Sequence, residues 1–123
     1  MASILLADDD DEFLAMLSSA LIRAGYQVKV AFDGERALKL YKDLPTDLVI
    51  TDLVMPEKEG LELIGELKRL NPEVKVIVVS GAGKHVLPDY LKMAKALGAK
   101  RVLAKPFSER EILEAIFEVL EGE

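Results

Sequence analysis

Four short apolar runs in this chain each end in a polar residue, and the runs have the length and composition of β-strands. The residues at their ends are, in chain order, Asp8 and Asp9, Asp52, Ser80, and Lys105. Apolar residues at helical spacing separate the runs, which is typical of alternating strands and helices. The carboxyl ends of parallel strands lie at one edge of a sheet. We therefore expect these five residues to meet at that edge.

The alternation continues along the whole chain and predicts an α/β fold. Strands are predicted over 3–7, 27–31, 48–51, 74–79 and 101–104, and a helix follows each strand. Asp33 is placed to cap the second helix, Gly60 and Pro88 to open the third and fourth, and Ser108 with Glu111 to form a capping box. Near-continuous apolar strands indicate a sheet that is buried on both faces. We predict a doubly wound, five-stranded parallel sheet with five helices, flavodoxin-like in class.

Length and composition limit the domain count and the classes of partner. A chain of 123 residues with 50% hydrophobic content suits a single domain over 1–123. There is no cysteine, no apolar run long enough to span a membrane, and no secretory leader pattern. We therefore expect a cytoplasmic protein without a membrane interaction. The net charge of −6 argues against direct nucleic-acid binding, because a phosphate backbone attracts a basic surface.

The motifs at the strand ends resemble those of response regulator receiver domains of two-component systems. The matching segments are 4–10, 47–56 with Gly60, 78–81, and 103–107. Each segment alone is a weak signal, but four of them in this order on successive strand ends are specific. The resemblance covers nearly the whole chain. It implies the strand order 2-1-3-4-5, for which a chemotaxis receiver is a standard example.

The resemblance also implies a role for each residue of the site. Asp52 is the expected phosphoacceptor, forming an aspartyl phosphate by nucleophilic attack on a phosphohistidine. Asp9 and Asp52 are expected to bind Mg²⁺ directly, together with the backbone carbonyl of Val54, while Asp8 acts through a bound water. Lys105 would neutralise a phosphoryl oxygen, and the Ser80 hydroxyl would move toward the new phosphate.

The implied function is a phosphorylation-dependent signalling switch in a phosphorelay. The expected partners are a sensor histidine kinase or a phosphotransfer protein on the input side and a downstream protein on the output side. A phosphorylation-dependent homodimer is left open. The chain is not expected to be an enzyme beyond catalysing its own phosphorylation and dephosphorylation.

Three departures from the usual receiver pattern modify this expectation. Val102 stands where the family commonly has an aromatic residue, which predicts switching mainly through the 80–88 loop and the fourth helix. Val54 and Ala82 flank the expected path of the attacking water and cannot orient it by hydrogen bonding, which predicts a long-lived phosphoryl state. The 80–88 loop is about three residues longer than the family pattern, and its glycines permit unusual backbone angles. It is either a partner contact or a tolerated insertion.

Three alternatives to a phosphorylated switch remain at this point. An unphosphorylated receiver-like interaction module would keep the fold without the chemistry. A haloacid-dehalogenase-type phosphohydrolase would use Asp8 and Asp10 as its nucleophile motif, although this leaves Asp52 unexplained and no room for a substrate cap. A flavodoxin-like ligand binder would need hydroxyls and glycines in its first loop, whereas residues 8–12 are acidic and would repel a phosphate.

Overall fold

The computed structural model describes residues 1–53, 55, 58–81 and 88–122, and of residues 88–90 it describes only the backbone. Strands and helices alternate through the described chain as the sequence predicts. The strands are β1 (Ser3–Ala7), β2 (Gln27–Ala31), β3 (Leu48–Asp52), β4 (Val76–Ser80) and β5 (Arg101–Ala104). The helices are α1 (Asp11–Arg23), α2 (Gly34–Asp43), α3 (Gly60–Leu70), α4 (Pro88–Leu97) and α5 (Glu109–Glu121).

All four strand pairings in the sheet are parallel, and the strand order is β2-β1-β3-β4-β5. The expected order is therefore confirmed. The register places Ala7 beside Thr51, Asp52 beside Val79, and Ser80 beside Ala104. The carboxyl ends of β1, β3, β4 and β5 consequently lie next to one another along one edge.

Both faces of the sheet are covered by helices. Successive residues of β3 point to opposite faces, so Val49 belongs to one core cluster and Ile50 to the other. Side chains of α1 and α5 pack on the Ile50 face, while side chains of α2, α3 and α4 pack on the Val49 face. Strands buried on both sides must be apolar along their whole length, which accounts for the near-continuous apolar runs.

The predicted helix starts are confirmed for α2, α3, α4 and α5, and capping hydrogen bonds support those of α2 and α5. The Asp33 carboxylate accepts a bond from the Arg36 backbone N–H at 2.7 Å, and Ser108 and Glu111 form a complete capping box. The start predicted for the fourth strand at residue 74 is wrong by two residues, because the Val74 N–H bonds to the Asn71 carbonyl in a turn. β3 runs one residue further than predicted and includes Asp52.

Gly60 allows the close approach of α3 to the end of β3. Its N–H donates to the Leu53 carbonyl at 2.8 Å. A Cβ atom at this position would lie 2.3 Å from the Asp52 carbonyl oxygen and 2.6 Å from the Leu53 Cα. Both neighbours are backbone atoms that cannot rotate away, so only glycine fits without moving the helix.

No helix in the described part of the chain combines the length and the apolar character needed to cross a membrane.

Two glycines of α3 provide a matched test of this packing. Gly65 lies inside the helix with open space around its missing Cβ. We expect Gly65→Ala to raise the free energy of unfolding by about 0.5–1 kcal/mol, because alanine loses less backbone entropy on folding. We expect Gly60→Ala to lower it by about 1–3 kcal/mol through overpacking. Urea unfolding of both variants measures the difference, and equal effects of the two substitutions would contradict the close approach at Gly60.

Candidate functional site

Three carboxylates meet at the carboxyl edge of the sheet. Asp8 follows β1 directly and Asp52 is the last residue of β3, and the two side chains are almost fully buried, with 1% and 0% of their surface exposed. Asp9 is exposed at the mouth of the site. One carboxylate oxygen of each residue lies within 4.8 Å of the others. The arrangement is a compact acidic cluster with one side open to solvent.

Backbone N–H groups hold the two buried carboxylates in place. The Asp10 N–H donates to Asp8 Oδ1 at 3.0 Å, and the Leu53 N–H donates to Asp52 Oδ1 at 2.7 Å. The buried Thr51 hydroxyl donates to the Asp52 carbonyl oxygen at 2.8 Å. In both carboxylates Oδ1 is therefore bound to the backbone, and Oδ2 is the atom that faces Lys105.

Lys105 brings the only cation that the described residues place directly on this carboxylate pair. Its ammonium nitrogen lies 2.6 Å from Asp8 Oδ2 and 3.7 Å from Asp52 Oδ2, and its side chain is 15% exposed. The Lys105 backbone N–H donates to the Ser80 carbonyl at 2.7 Å, which extends the pairing of β4 and β5 by one residue. The Lys105–Pro106 peptide bond is cis. Ser80 is thus brought to the same edge, directly beside the lysine.

Two aromatic rings complete the wall around the lysine. The Lys105 ammonium lies 3.8 Å from the centroid of the Phe13 ring, in the first turn of α1. The Phe107 ring, which follows Lys105 by two residues, meets Phe13 edge-on at 5.9 Å between centroids and 85° between planes. The sequence did not indicate this contact, because Phe13 and Lys105 are 92 positions apart in the chain and such a contact has no local signal.

The burial of Asp8 disfavours its ionised form. Desolvation raises the pKa of Asp8 above its usual value, and the nearby charge of Asp52 acts in the same direction. Hydrogen bonds from Lys105 and from the Asp10 backbone oppose the shift and are outweighed. The cluster therefore holds a negative charge in a poorly solvated position.

The donor set fits a small divalent cation. Among the described residues, three carboxylates converge on the Lys105 ammonium, and carboxylate oxygens are ligands that Mg²⁺ takes. Among the predicted ligands, Asp8, Asp9 and Asp52 come together as expected. Val54, the fourth, lies outside the described residues, as do Ala82 and most of the 80–88 loop.

Asp10 has a structural role. Its carboxylate accepts a hydrogen bond from the Phe13 N–H at 3.1 Å and caps the first turn of α1. A capping carboxylate also interacts favourably with the positive end of the helix dipole. Asp10 therefore stands beside the acidic cluster with its side chain directed to the helix.

Lys58 anchors the connection between β3 and α3, and sequence reasoning missed it. Lys58 is only 9% exposed. Its ammonium contacts the Glu66 carboxylate and lies 3.3 Å from the Glu62 carboxylate. The bond with Glu66 is the main cause of a raised pKa for Lys58, which burial partly opposes. A Cβ atom at Gly34 would lie 2.0 Å from the Lys58 carbonyl oxygen. The backbone of the β3–α3 connection therefore packs directly against the first turn of α2. The spacing of 58, 62 and 66 at helical intervals was the available signal.

Asp8→Asn tests whether the metal-free cluster is strained. We expect this variant to have the higher melting temperature in EDTA at neutral pH, because a neutral amide is easier to bury than the carboxylate. The folded-state pKa of Asp8 is raised, so its destabilising contribution is present above that pKa and disappears as the pH falls through it. The difference in melting temperature between the variant and the parent should therefore become smaller from pH 7 towards pH 4. A variant less stable than the parent at pH 7 would show that the Lys105–Asp8 ion pair outweighs desolvation.

Solved structures with the same fold are receiver domains. The chain superimposes on a CheY-like response regulator receiver domain protein from Methanospirillum hungatei with a TM-score of 0.92 at 29% identity, covering 98% of this chain and 94% of that one. It superimposes on the chemotaxis protein CheY4 of Vibrio cholerae with a TM-score of 0.88 at 30% identity, covering 98% and 99% of the two chains.

Relatives by sequence include both short and long regulators. The chain is 35% identical to the response regulator receiver protein CpdR of Brucella abortus, over 98% of each chain. It is 35% identical to the chemotaxis protein CheY of Thermotoga maritima, over 94% of this chain and 95% of that one. With the transcriptional regulator NtrC of Azospirillum brasilense it shares 36% identity over 94% of this chain, and it spans only 23% of that protein's length.

The family model for the response regulator receiver domain matches residues 4–117, which include β1 from Ile4 onward, the other four strands, and all the residues of the acidic cluster with Lys105. The sheet order, the three carboxylates and the lysine beside them agree with that match. This chain therefore belongs to the response regulator receiver domain family.

Proposed function

We propose that this receiver domain is a phospho-accepting switch in which Asp52 takes a phosphoryl group from a phosphohistidine. The observation that carries the proposal is the position of Asp52. Its carboxylate is fully buried, is fixed by the Leu53 N–H through one oxygen, and faces the Lys105 ammonium through the other. Asp9 lies at the open side of the cluster, from which a donor can approach.

The two oxygens of Asp52 have different surroundings, and this difference supports Oδ2 as the nucleophile. Oδ2 is 3.7 Å from the Lys105 ammonium, so a phosphoryl group bound there would lie beside a positive charge. In the reaction, Oδ2 forms the new O–P bond while the P–N bond of the phosphohistidine breaks, and the imidazole leaves with the bonding electron pair. The product is an aspartyl phosphate, and no oxidant or reductant is needed.

Mg²⁺ would be held by Asp9, Asp52 and the carbonyl of Val54, and when bound it would reduce the repulsion between the carboxylate and the phosphoryl oxygens. Asp8 would act on it through water. The Asp8 contacts support this indirect role, because Oδ1 is bound to the Asp10 N–H and Oδ2 to Lys105. Lys105 would transfer its contact from Asp8 to a phosphoryl oxygen.

Ser80 would convert the new phosphate into a change of shape. Its backbone carbonyl is fixed by the Lys105 N–H, so its hydroxyl is the part that can turn toward the phosphoryl group and draw the following loop with it. Val102 is half-buried against the core on the α4 side of the sheet and has no ring to rotate. We therefore assign the output movement to the 80–88 loop and α4.

The proposed partners follow from this role. The donor is a sensor histidine kinase or a phosphotransfer protein that reaches the site over the first turn of α1 and the Pro106–Phe107 segment. A downstream protein reads the altered 80–88 region, and a phosphorylation-dependent homodimer is a second form of output. We place this chemistry in the cytoplasm, with no direct contact to nucleic acid or membrane.

An unphosphorylated interaction module is the second candidate function, since the fold and the apolar core would be the same without the chemistry. The phosphohydrolase alternative loses its basis, because its motif needs Asp10 at the reaction centre. The Asp10 carboxylate instead caps α1 through the Phe13 N–H.

Intact-mass spectrometry after incubation with acetyl phosphate and Mg²⁺ tests the proposal. We expect a gain of about 80 Da, the mass of one phosphoryl group, that requires Mg²⁺ and is absent in Asp52→Asn. Asp10→Asn is the matched control, because asparagine caps a helix as well as aspartate and the substitution removes a neighbouring carboxylate. This control should gain the same mass as the parent.

Two results would contradict phosphorylation at Asp52. A mass gain that persists in Asp52→Asn would place the phosphoryl group elsewhere. No gain in the parent protein, with Mg²⁺ binding demonstrated separately by calorimetry, would favour the unphosphorylated interaction module.

The lifetime of the phosphoryl group is the next expected property. Val54 and Ala82 have apolar side chains at the two positions that flank the path of the attacking water in the family. We expect decay over roughly hours, because no side chain there can position the water. Val54→Asn should shorten the half-life by about tenfold or more, since it adds a polar group at that path. The release of inorganic phosphate over time measures the half-lives of the parent and of the variant. Decay of the phosphorylated parent within seconds would contradict the expectation.

A further inference from the structure

We propose that Phe13 is a positioning residue for Lys105, and that the face of its ring holds the ammonium between the two buried carboxylates. The inference rests on the proposed function in one respect: the proposed function has Lys105 contact a phosphoryl oxygen. The contact itself exists in the resting protein. It is a distance of 3.8 Å between the ammonium nitrogen and the ring centroid, well inside the range of cation–π attraction.

The ring is held in place from two sides. The Phe13 N–H donates to the Asp10 carboxylate at 3.1 Å, which ties this residue to the cap of α1. Phe107 packs edge-on against the ring at 85° and comes from the segment that follows Lys105. The backbone of Phe13 is therefore held by the cap of α1, and its ring is held by Phe107 from the β5–α5 connection, which also carries Lys105.

A lysine needs such support at this position. Its four-carbon stem is flexible, and its ammonium lies 2.6 Å from Asp8 but 3.7 Å from Asp52. Hydrogen bonds alone would hold it to Asp8. The negative face of an aromatic ring attracts the charge without a strict direction, so the ammonium can shift from Asp8 toward Asp52 and a phosphoryl oxygen while it keeps the ring contact.

Packing and electrostatics predict different responses to fluorination. Fluorine atoms on the ring preserve its shape closely and remove negative potential from its face, so they weaken attraction to an ammonium while they leave a hydrophobic contact in place. A role in packing alone would be insensitive to the number of fluorines. A positioning role through the ring face would weaken with each fluorine added.

The experiment replaces Phe13 with phenylalanines that carry one, two and three fluorines. The same series at Phe117, which is 61% exposed on α5, is the matched control for incorporation. The first readout is the NMR signal of the Lys105 ammonium nitrogen in the metal-free protein. The second is the rate of phosphorylation by acetyl phosphate at saturating Mg²⁺.

We expect the Lys105 signal to shift stepwise along the Phe13 series and to stay constant along the Phe117 series. The phosphorylation rate should fall by about threefold to tenfold for the trifluorinated ring. Phe13→Tyr should keep the parental rate, because tyrosine presents a similar ring face, whereas Phe13→Leu should lose at least as much as the trifluorinated ring.

The two readouts separate failure of this inference from failure of the proposed function. An unchanged Lys105 signal along the Phe13 series would overturn the ring contact, and a shifted signal with an unchanged rate would overturn the positioning role. A parent protein that takes up no phosphoryl group would overturn the proposed function and the task assigned to Lys105. The NMR series would still decide whether the ring holds the ammonium.

Discussion

The contact of one lysine with two buried carboxylates is the interaction on which the rest of this site depends. Asp8 and Asp52 are almost inaccessible to water, and Lys105 lies between them. Burial of two like charges is unfavourable unless a cation and hydrogen bonds compensate them. The parallel sheet brings the cation to the carboxylates, because it aligns the ends of β1, β3 and β5. The backbone N–H groups that follow β1 and β3 supply the hydrogen bonds. The site is therefore stable enough to exist and charged enough to attract a further cation.

The surroundings of the cluster restrict its movement on two sides. Gly60 lets α3 begin against the carbonyl of Asp52, and Lys58 ties the preceding connection to Glu62 and Glu66 on α3. On the other side, Phe13 connects α1 to Lys105. Asp52 is thus held between packed elements, and under the proposed function the response is assigned to Ser80 and the residues that follow it. The proposed switch needs a reaction centre that stays in place while a neighbouring segment responds to the phosphate.

Much of the fold could be predicted from local patterns. Apolar runs bounded by helical spacing indicated all five strands and five helices, and cap residues such as Asp33 and Ser108 act through bonds within four residues of themselves. The boundary error at β4 arose because Val74 is as apolar as a strand residue but belongs to a turn closed by Asn71. The carboxylates of the site could also be predicted, because a strand end is a position that the chain order alone reveals. The contact between Phe13 and Lys105 could not be predicted, since it depends on how α1 packs against the end of β5, whereas the contacts of Lys58 with Glu62 and Glu66 had a local signal that was missed.

The amino-acid sequence by itself determined the class of fold, the family, and which polar residues meet at the carboxyl edge of the sheet, because hydrophobic periodicity and short motifs are local properties. Only the tertiary structure decided how those residues are used. In the folded protein Asp8 and Asp52 are buried and Asp9 is exposed. The Asp10 carboxylate caps α1, and the Lys105 ammonium lies over the Phe13 ring. The physical reason is that burial, pKa and ring contacts depend on distances between elements far apart in the chain. Those distances are fixed only when the sheet and its helices pack together.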